Sequence, residues 1–193
     1  WQNTLHLKKR IRRTMEQHYS ELNFTDGRPI LVFGYSATIV SALSGLPLEV
    51  TRNLKILTPE QVLPQRKLPD GVLLKRNIEN EIPGVSVEVL ENGVALKRVQ
   101  DGDPCLLFMG CRVIGLRKSQ RLEIVNSRDA FLFAEAASVA QIPLAVITGF
   151  YKCWPTRTYE KYRPLVVLDK SSDIVPGELL RWIMTEDGIV PHD

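Results

Sequence analysis

The chain has 193 residues, 25 basic against 22 acidic side chains for a net charge of +3, and a composition 44% hydrophobic, 24% charged and 7% aromatic. That excludes a disordered or fibrous chain and supplies one well-buried core, while two domains are a crowded fit. So small a charge bias argues by itself for neither a nucleic-acid nor a membrane partner; no apolar run approaches the ~18 residues of a membrane span, and the opening residues do not read as a signal peptide. The first residue is Trp1 rather than Met, as in a processed product or a piece of a longer chain.

In chain order, Leu5, Leu7, Ile11, Met15, Tyr19 and Leu22 recur at the spacing of one helical face and predict a helix over 4–22, capped by Asn3 or Thr4. A loop through Asp26, Gly27, Arg28 and Pro29 leads to an unbroken apolar run at 29–33, the pattern of a buried parallel strand. Gly34, Tyr35 and Ser36 then turn the chain into a helix over 37–43. Further strands are expected at 54–57, 85–90, 105–109 and 144–148, and helices at 72–82, 91–99 and 128–141. A proline-punctuated loop is expected from 58 to 70. Residues 165–168 read as a sixth strand, and residues 178–191 as a short amphipathic helix running into an acidic, glycine-turned tail. The alternation implies an α/β chain: a Rossmann-like open, mostly parallel sheet with helices on both faces, residues 1–193 forming a single domain.

In such sheets ligands lie beyond the carboxyl ends of the strands, so the residues just after each strand carry the chemical information. Gly34 permits close backbone approach, Tyr35 and Ser36 offer hydroxyls, and the helix that follows offers free amides to an anion; the same turn also serves simple helix entry. The Gly-rich signatures of dinucleotide-binding proteins and P-loop enzymes are absent. Cys111 follows a strand beside Arg112, either as a thiol whose pKa the arginine lowers or as a buried structural cysteine. Asp129, Glu135 and Asp169 have no spacing that assigns an acid/base pair. Cys105, Cys111 and Cys153 show no CxxC spacing and only three histidines accompany them, so no metal is expected, and an odd count fits a reducing, intracellular compartment. Lys8, Lys9, Arg10, Arg12 and Arg13 put five positive charges into six positions of the first helix, which is either a solvated face or a docking helix for RNA phosphates or an acidic protein surface.

The blocks at 30–40, 106–110, 143–152 and 172–191 resemble the C-terminal domain of the regulatory subunits of eukaryotic translation initiation factor 2B. That domain is shared with sugar-phosphate isomerases such as methylthioribose-1-phosphate isomerase and is of the CoA-transferase-like kind. The resemblance covers roughly residues 5–45 and 83–191; between them, the charged residues expected after the strand are replaced around residues 58–61. In the isomerases the turn matching residues 34–36 carries the catalytic cysteine, and Gly34 stands there here. Arg112 stands where they have an acid, and of their Asn-Lys pair Asn126 is kept while Ser127 replaces the lysine. The resemblance therefore implies no catalytic residue, no cofactor and no enzyme, with Gly34, Tyr35, Ser36, Asn126 and Lys152 left as candidate anion-binding residues.

It implies instead a non-catalytic protein-interaction subunit, paired as a homo- or heterodimer or built into a multi-subunit complex, or a degenerate paralogue serving as a structural component of a larger assembly. The family's N-terminal helical domain, which adds Arg and Gly residues to the sugar-phosphate pocket, has no counterpart in these residues. Trp154, Tyr159, Tyr162 and Trp182 suit either interface anchoring or core packing. The alternative is a sugar-phosphate or nucleotide binding protein or isomerase. The expected location is cytoplasmic rather than organellar.

Overall fold

The computed structural model describes residues 2–22, 24, 27–62 and 67–192, excluding the side chains of residues 2–4, so the capping roles of Asn3 and Thr4 and the loop residue Asp26 lie outside it. Its helices are α1 (Gln2–His18), α2 (Ala37–Leu43), α3 (Leu48–Thr51), α4 (Asp70–Glu81), α5 (Asn92–Gln100), α6 (Ala130–Val139) and α7 (Thr156–Leu168). Its strands are β1 (Ile30–Phe33), β2 (Lys55–Pro59), β3 (Ser86–Leu90), β4 (Leu106–Met109), β5 (Val113–Leu116) and β6 (Leu122–Ser127). They continue with β7 (Leu144–Ile147), β8 (Cys153–Trp154), β9 (Ser172–Pro176), β10 (Trp182–Thr185) and β11 (Gly188–Pro191).

Seven strands form the main sheet in the order β3-β2-β1-β4-β7-β10-β11, every neighbouring pair parallel except β10 with β11. This is the open α/β sheet that the alternating pattern predicts. The unbroken apolar runs of its central strands follow from burial on both faces. Ile30 and Val32 of β1 join Ile56, Leu106, Phe108 and Ile147 in a core closed by Ile11 and Met15 of α1, Ile39 and Leu43 of α2, and Leu74 and Ile78 of α4. The alternate residues Leu31 and Phe33 face the other way, with Leu107, Met109 and Val146, onto Ala95 and Val99 of α5 and Phe133 and Ala137 of α6. Each side chain along β1 thus belongs to one core or the other, as the two-residue period of a strand requires.

Three sequence expectations change. Residues 165–168 are not a strand but the last turn of α7, where Leu165, Val167 and Leu168 are exposed and only Val166 packs inward. A β-rich composition there gives way to tertiary context: the segment continues α7 and pairs with no strand. Residues 178–191 are not an amphipathic helix: a 3-10 turn (Gly177–Leu179) leads into the hairpin of β10 and β11. Trp182 and Met184 pack with the first core and Ile183 with the second, an alternation of period two, and Glu186 and Asp187 form the tight turn before Gly188 at φ 145°.

The third change is a second sheet, β8-β5-β6-β9, that the reading of elements omits. Its hairpin, β5 and β6, is joined by the basic turn at residues 117–121. One face of this sheet presents Ile114, Ile124 and Val175 to the second core. The other presents Val113 and Val125 to Tyr159 of α7, which is fully buried and therefore a core residue. Among the other aromatic candidates, Trp154 meets Tyr162 edge to face at 5.9 Å, and Trp182 is half-buried against the first core.

The helix α7 is fastened to β6 by one carboxylate. Glu123 accepts from Tyr159 Oη at 2.7 Å, from Arg163 Nε at 2.6 Å and Nη2 at 3.0 Å, and from Arg117 Nη1 at 3.2 Å, while Arg117 Nε also donates to Glu160 at 2.8 Å. Burial alone pushes the Glu123 carboxyl up, but the bonds from Arg163, Tyr159 and Arg117 outweigh it and hold the group below its ordinary value. A depressed carboxylate stabilises the fold at neutral pH, and that contribution is lost as pH falls below the ordinary Glu value through the folded-state one.

Glu123→Gln is expected to cost about 2–3 kcal/mol at pH 7, measured by urea unfolding, and the difference from the parent chain should shrink as the pH is lowered below 4.5. A difference of the same size at pH 7 and pH 3 would contradict the ionic account. Tyr159 reaches Glu123 only because residue 115 is glycine: a Cβ there would lie 2.1 Å from Tyr159 Cγ. Gly115→Ala should lower Tm by roughly 4–10 °C, for about 1–3 kcal/mol of overpacking. Gly93→Ala in α5, where nothing lies within 4 Å of the new carbon, should leave Tm unchanged or raise it.

Candidate functional site at the strand switch

From β1 the chain steps outward to β2 and β3, then returns to β4 on the other side and steps outward again to β7 and β10. The order reverses between β1 and β4, and the crevice beyond their carboxyl ends is where such sheets offer a ligand site. A cleft of about 360 Å³ opens there, lined by the residues after β1, β4 and β7, the end of β6 and the start of α4. All five residues singled out in the sequence, Gly34, Tyr35, Ser36, Asn126 and Lys152, line it.

Each wall has a local cause. Gly34 adopts φ 75°, which a side chain disfavours, and a Cβ there would sit 3.1 Å from Gln61 Oε1. Ser36 caps α2 with an extended backbone but makes no side-chain cap bond, and Gly110 admits it: a Cβ at Gly110 would lie 2.9 Å from Ser36 Cβ. Gly71 brings α4 against the end of β2, since a Cβ at that position would meet the Pro59 carbonyl oxygen at 2.5 Å. With Asp70 N–H donating to the Gln61 carbonyl at 3.0 Å, this seats the buried Asp70 carboxylate at the cleft, where it accepts the Tyr35 N–H at 3.1 Å.

The polar groups of the cleft are largely turned to the protein's own backbone. Lys152 Nζ donates to the Cys111 carbonyl at 2.6 Å. Asn126 Nδ2 donates to the Gly110 carbonyl at 2.9 Å, and its Oδ1 accepts the Ser127 N–H at 2.8 Å. Arg112 leans away to the turn between α7 and β9, donating to Ser172 Oγ at 2.5 Å and lying 3.6 Å from Asp169 Oδ2. Hydrogen bonds from the Ser171 N–H and from the Ser172 and Ser171 hydroxyls, with the Arg112 charge, hold Asp169 down to about 2, so it stays ionised and offsets the arginine.

Cys111 is the buried cysteine of the two alternatives. Its thiol donates to Thr148 Oγ1 at 3.0 Å, and burial pushes its pKa up to about 11 against the opposing pull of Thr148 and Lys152. The three carboxylates Asp129, Glu135 and Asp169 do not gather in this cleft. Asp129 and Asp169 line a neighbouring cleft of about 380 Å³ with Gln61, Asn92 and Ser171, whereas Glu135 is exposed on α6. Of the basic helix, Lys9, Arg10, Arg12 and Arg13 are exposed and Lys8 is half-buried; Arg10 pairs with Asp187, and none of them lines the cleft.

Sequence reading missed Asp70 and Gln61. Asp70 carried one usable signal, an acid in the first turn of a helix that follows a strand. Gln61 carried none, because its role depends on φ 44° and on Nε2 donating across to Ser127 Oγ at 3.0 Å and the Arg128 carbonyl at 2.9 Å. Among the described residues no helix is long and apolar enough to cross a membrane, and no group of three or more metal-binding side chains gathers.

No protein-family model matches this sequence, and no curated protein matches it. Solved structures are similar over nearly its whole length. eIF2B beta from Chaetomium thermophilum aligns with a TM-score of 0.67 at 16% identity, over 96% of this chain and 50% of its own. The tetrameric eIF2B-beta2-delta2 complex from C. thermophilum gives a TM-score of 0.66 at 14% identity, over 96% of this chain and 56% of the matched one. 5-Methylthioribose 1-phosphate isomerase from Pyrococcus horikoshii OT3 gives 0.64 at 13% identity, over 97% of this chain and 56% of its own. The chain thus spans about half the length of the proteins it matches, and the match includes residues 46–82, where sequence resemblance is poor. Its fold is the one that translation initiation factor 2B subunits and 5-methylthioribose 1-phosphate isomerase share.

Proposed function

We propose that this chain is a non-catalytic protein-interaction subunit resembling the regulatory subunits of translation initiation factor 2B, or a degenerate paralogue serving as a structural part of a larger assembly. It acts as one α/β unit, in the cytoplasm. The state of the cleft carries this reading. Where the isomerases use a thiol, Gly34 has a left-handed backbone and little room for a side chain. Arg112 stands in place of the acid and is drawn toward Asp169, while Lys152 and Asn126 bind main-chain carbonyls. The carboxylate that does line the cleft, Asp70, accepts the Tyr35 N–H, a bond that supports a structural use for it. The nearby thiol of Cys111 is held protonated by burial.

Association is supported by the end of α7. Leu165, Val167 and Leu168 are 63%, 59% and 76% exposed, and Val167 borders a shallow groove with Phe131, Val166 and Ile174. So many large apolar side chains on one exposed helix end mark a surface made to be covered. The similar structure within a tetrameric complex supports the same reading. The rival reading, a phosphorylated small-molecule binder, rests on the volume of the cleft and on Lys152 at its wall.

Two measurements separate these readings. A panel of sugar phosphates and nucleotides at millimolar concentration should give no thermal shift, and methylthioribose 1-phosphate no turnover; a saturable shift abolished by Lys152→Ala restores the ligand reading. Native mass of the endogenous chain should exceed that of a monomer and include other subunits. Leu165→Asp with Leu168→Asp should release the chain from them at unchanged Tm, whereas a lone endogenous monomer overturns the proposal.

A further inference from the structure

The outer face of α7 carries more than the apolar end on which the assembly role rests. Residues 157, 161, 165 and 168 follow one another at helical spacings of four, four and three, so Arg157, Lys161, Leu165 and Leu168 form a single stripe, and all four are exposed. The stripe runs about 16 Å along the helix axis. The opposite side of the helix is fixed by packing: Tyr159 and Val166 lie against the second sheet, and Arg163 reaches in to Glu123. The stripe is therefore the side of α7 turned to solvent, cationic over its first half and apolar over its second.

Folding leaves those cations unmatched. The carboxylate beside them, Glu160, accepts from Arg117 Nε at 2.8 Å and from the Lys118 N–H at 3.0 Å. The carboxylate at the far end, Asp169, accepts from the Ser171 N–H and from the Ser171 and Ser172 hydroxyls, and faces Arg112. Among the described residues no ion pair includes Arg157, Lys161 or Lys170, and Lys161 Nζ rests 5.2 Å from the Tyr162 ring centroid.

Two occupants fit this pattern poorly. In a two-fold pair of copies, Leu165 and Leu168 cover their counterparts on an antiparallel α7, which brings Lys161 toward Lys170 and the already bonded Asp169 of the other copy. A bilayer takes helices whose apolar stripe runs their full length with cations along its flanks, whereas here the two kinds succeed each other along the axis. A helix of another chain with the complementary order, carboxylates beside Arg157 and Lys161 and apolar side chains beside Leu165 and Leu168, matches both halves at once.

We infer that α7 is the docking site for an acidic amphipathic helix of a different chain, whose carboxylates pair with Arg157 and Lys161 and whose apolar side chains cover Leu165 and Leu168. The inference rests on the assembly role proposed above and names the chemistry of the partner at that surface. The leucines supply the burial, and the cations set the direction of the partner along α7, because a reversed helix lays its apolar residues against the charges.

The endogenous complex tests it, purified through a tagged copy of the whole chain carrying Arg157→Glu with Lys161→Glu, Leu165→Asp with Leu168→Asp, or Lys9→Glu with Lys55→Glu, an equal charge change on α1 and β2. At 50 mM KCl the Arg157/Lys161 variant should retain at most a tenth of the partner that the parent chain retains, at unchanged Tm, and the difference should narrow at 500 mM KCl as the exposed charges are screened. The Lys9/Lys55 variant should retain all of it. Carbodiimide, which joins an amine to a carboxylate in direct contact with it, should link Lys161 of the parent complex to an Asp or Glu of another chain, with apolar residues a turn and two turns away. Release by the leucine changes but not by the charge changes, or a Lys161 crosslink to a second copy, overturns the inference and leaves the assembly role standing. Sedimentation with vesicles of phosphatidylcholine and phosphatidylserine at 7:3, lost in both α7 variants, overturns it in favour of a membrane. Full retention of the partner by both α7 variants overturns the use of this face, and a lone endogenous monomer overturns the assembly role with it.

Discussion

Everything else in this molecule hangs on β1, four residues hydrogen-bonded on both edges and buried on both faces. Ile30 through Phe33 pair in register with Leu106 through Met109 of β4, and Ile30 and Leu31 with Ile56 and Leu57 of β2. Because the side chains alternate, this one strand is common to both cores: Val32 reaches the helices α1, α2 and α4, and Phe33 packs against Phe133 of α6 with ring centroids 4.9 Å apart. A strand placed so has no solvent-facing side, which makes an uninterrupted apolar run its only workable sequence. The strand order reverses beside it, and the cleft opens at its carboxyl end for that reason alone.

A crevice created by topology must still satisfy the polar groups at the strand ends. In this chain it does so from within. The Gly110 and Cys111 carbonyls, at the end of β4, accept from Asn126 and Lys152, and the Tyr35 N–H, just past β1, donates to Asp70. An unmade hydrogen bond in such a place costs about 1–3 kcal/mol, so these side chains stabilise the strand ends whether or not a ligand ever arrives. Lys and Asn placed beside a phosphate-sized space are therefore ambiguous evidence of binding, and the bonds they already make favour structure over ligand. Gln61 sharpens the point, because it bridges β2 to β6 through Ser127 and the Arg128 carbonyl while its Oε1 crowds the place of a side chain at residue 34.

The five parallel strands β3-β2-β1-β4-β7 of the main sheet were legible in the sequence because their signals are strong and local. Continuous apolar runs at 30–33, 106–109 and 144–147 admit few other readings, and the helical stripe of α1 is explicit in Ile11, Met15 and Leu22. Gly34, Tyr35 and Ser36 were legible as cleft residues because they directly follow β1, whereas Asn126 and Lys152, which also line the cleft, were expected only from the family resemblance. What was not legible depends on partners distant in sequence. The second sheet lacks the unbroken apolar runs of the first: β6 and β9 mix polar and apolar residues and β8 has only two residues, so their place depends on packing against Tyr159 and on the Glu123 cluster. Residues 165–168 and 182–185 have similar β-rich compositions, yet the first is helix and the second strand; only the latter has β7 and β11 beside it to supply a ladder. The acid at the cleft was missed because it enters from α4, beyond the loop where an acid was sought.

The distribution of charge separates the two faces of the chain's chemistry. Carboxylates are spent on holding the fold together: Glu123 on Arg117 and Arg163, Asp169 on Arg112, Asp103 on Arg98, Asp187 on Arg10. Each such pair removes a cation from the surface field as well as an anion. Among the described residues, the cations left without a carboxylate partner lie on several elements, Lys9, Arg12 and Arg13 of α1 as well as Lys55 of β2 and Arg121 of the turn between β5 and β6, so the modest net charge of +3 is spread over the surface rather than gathered on one helix.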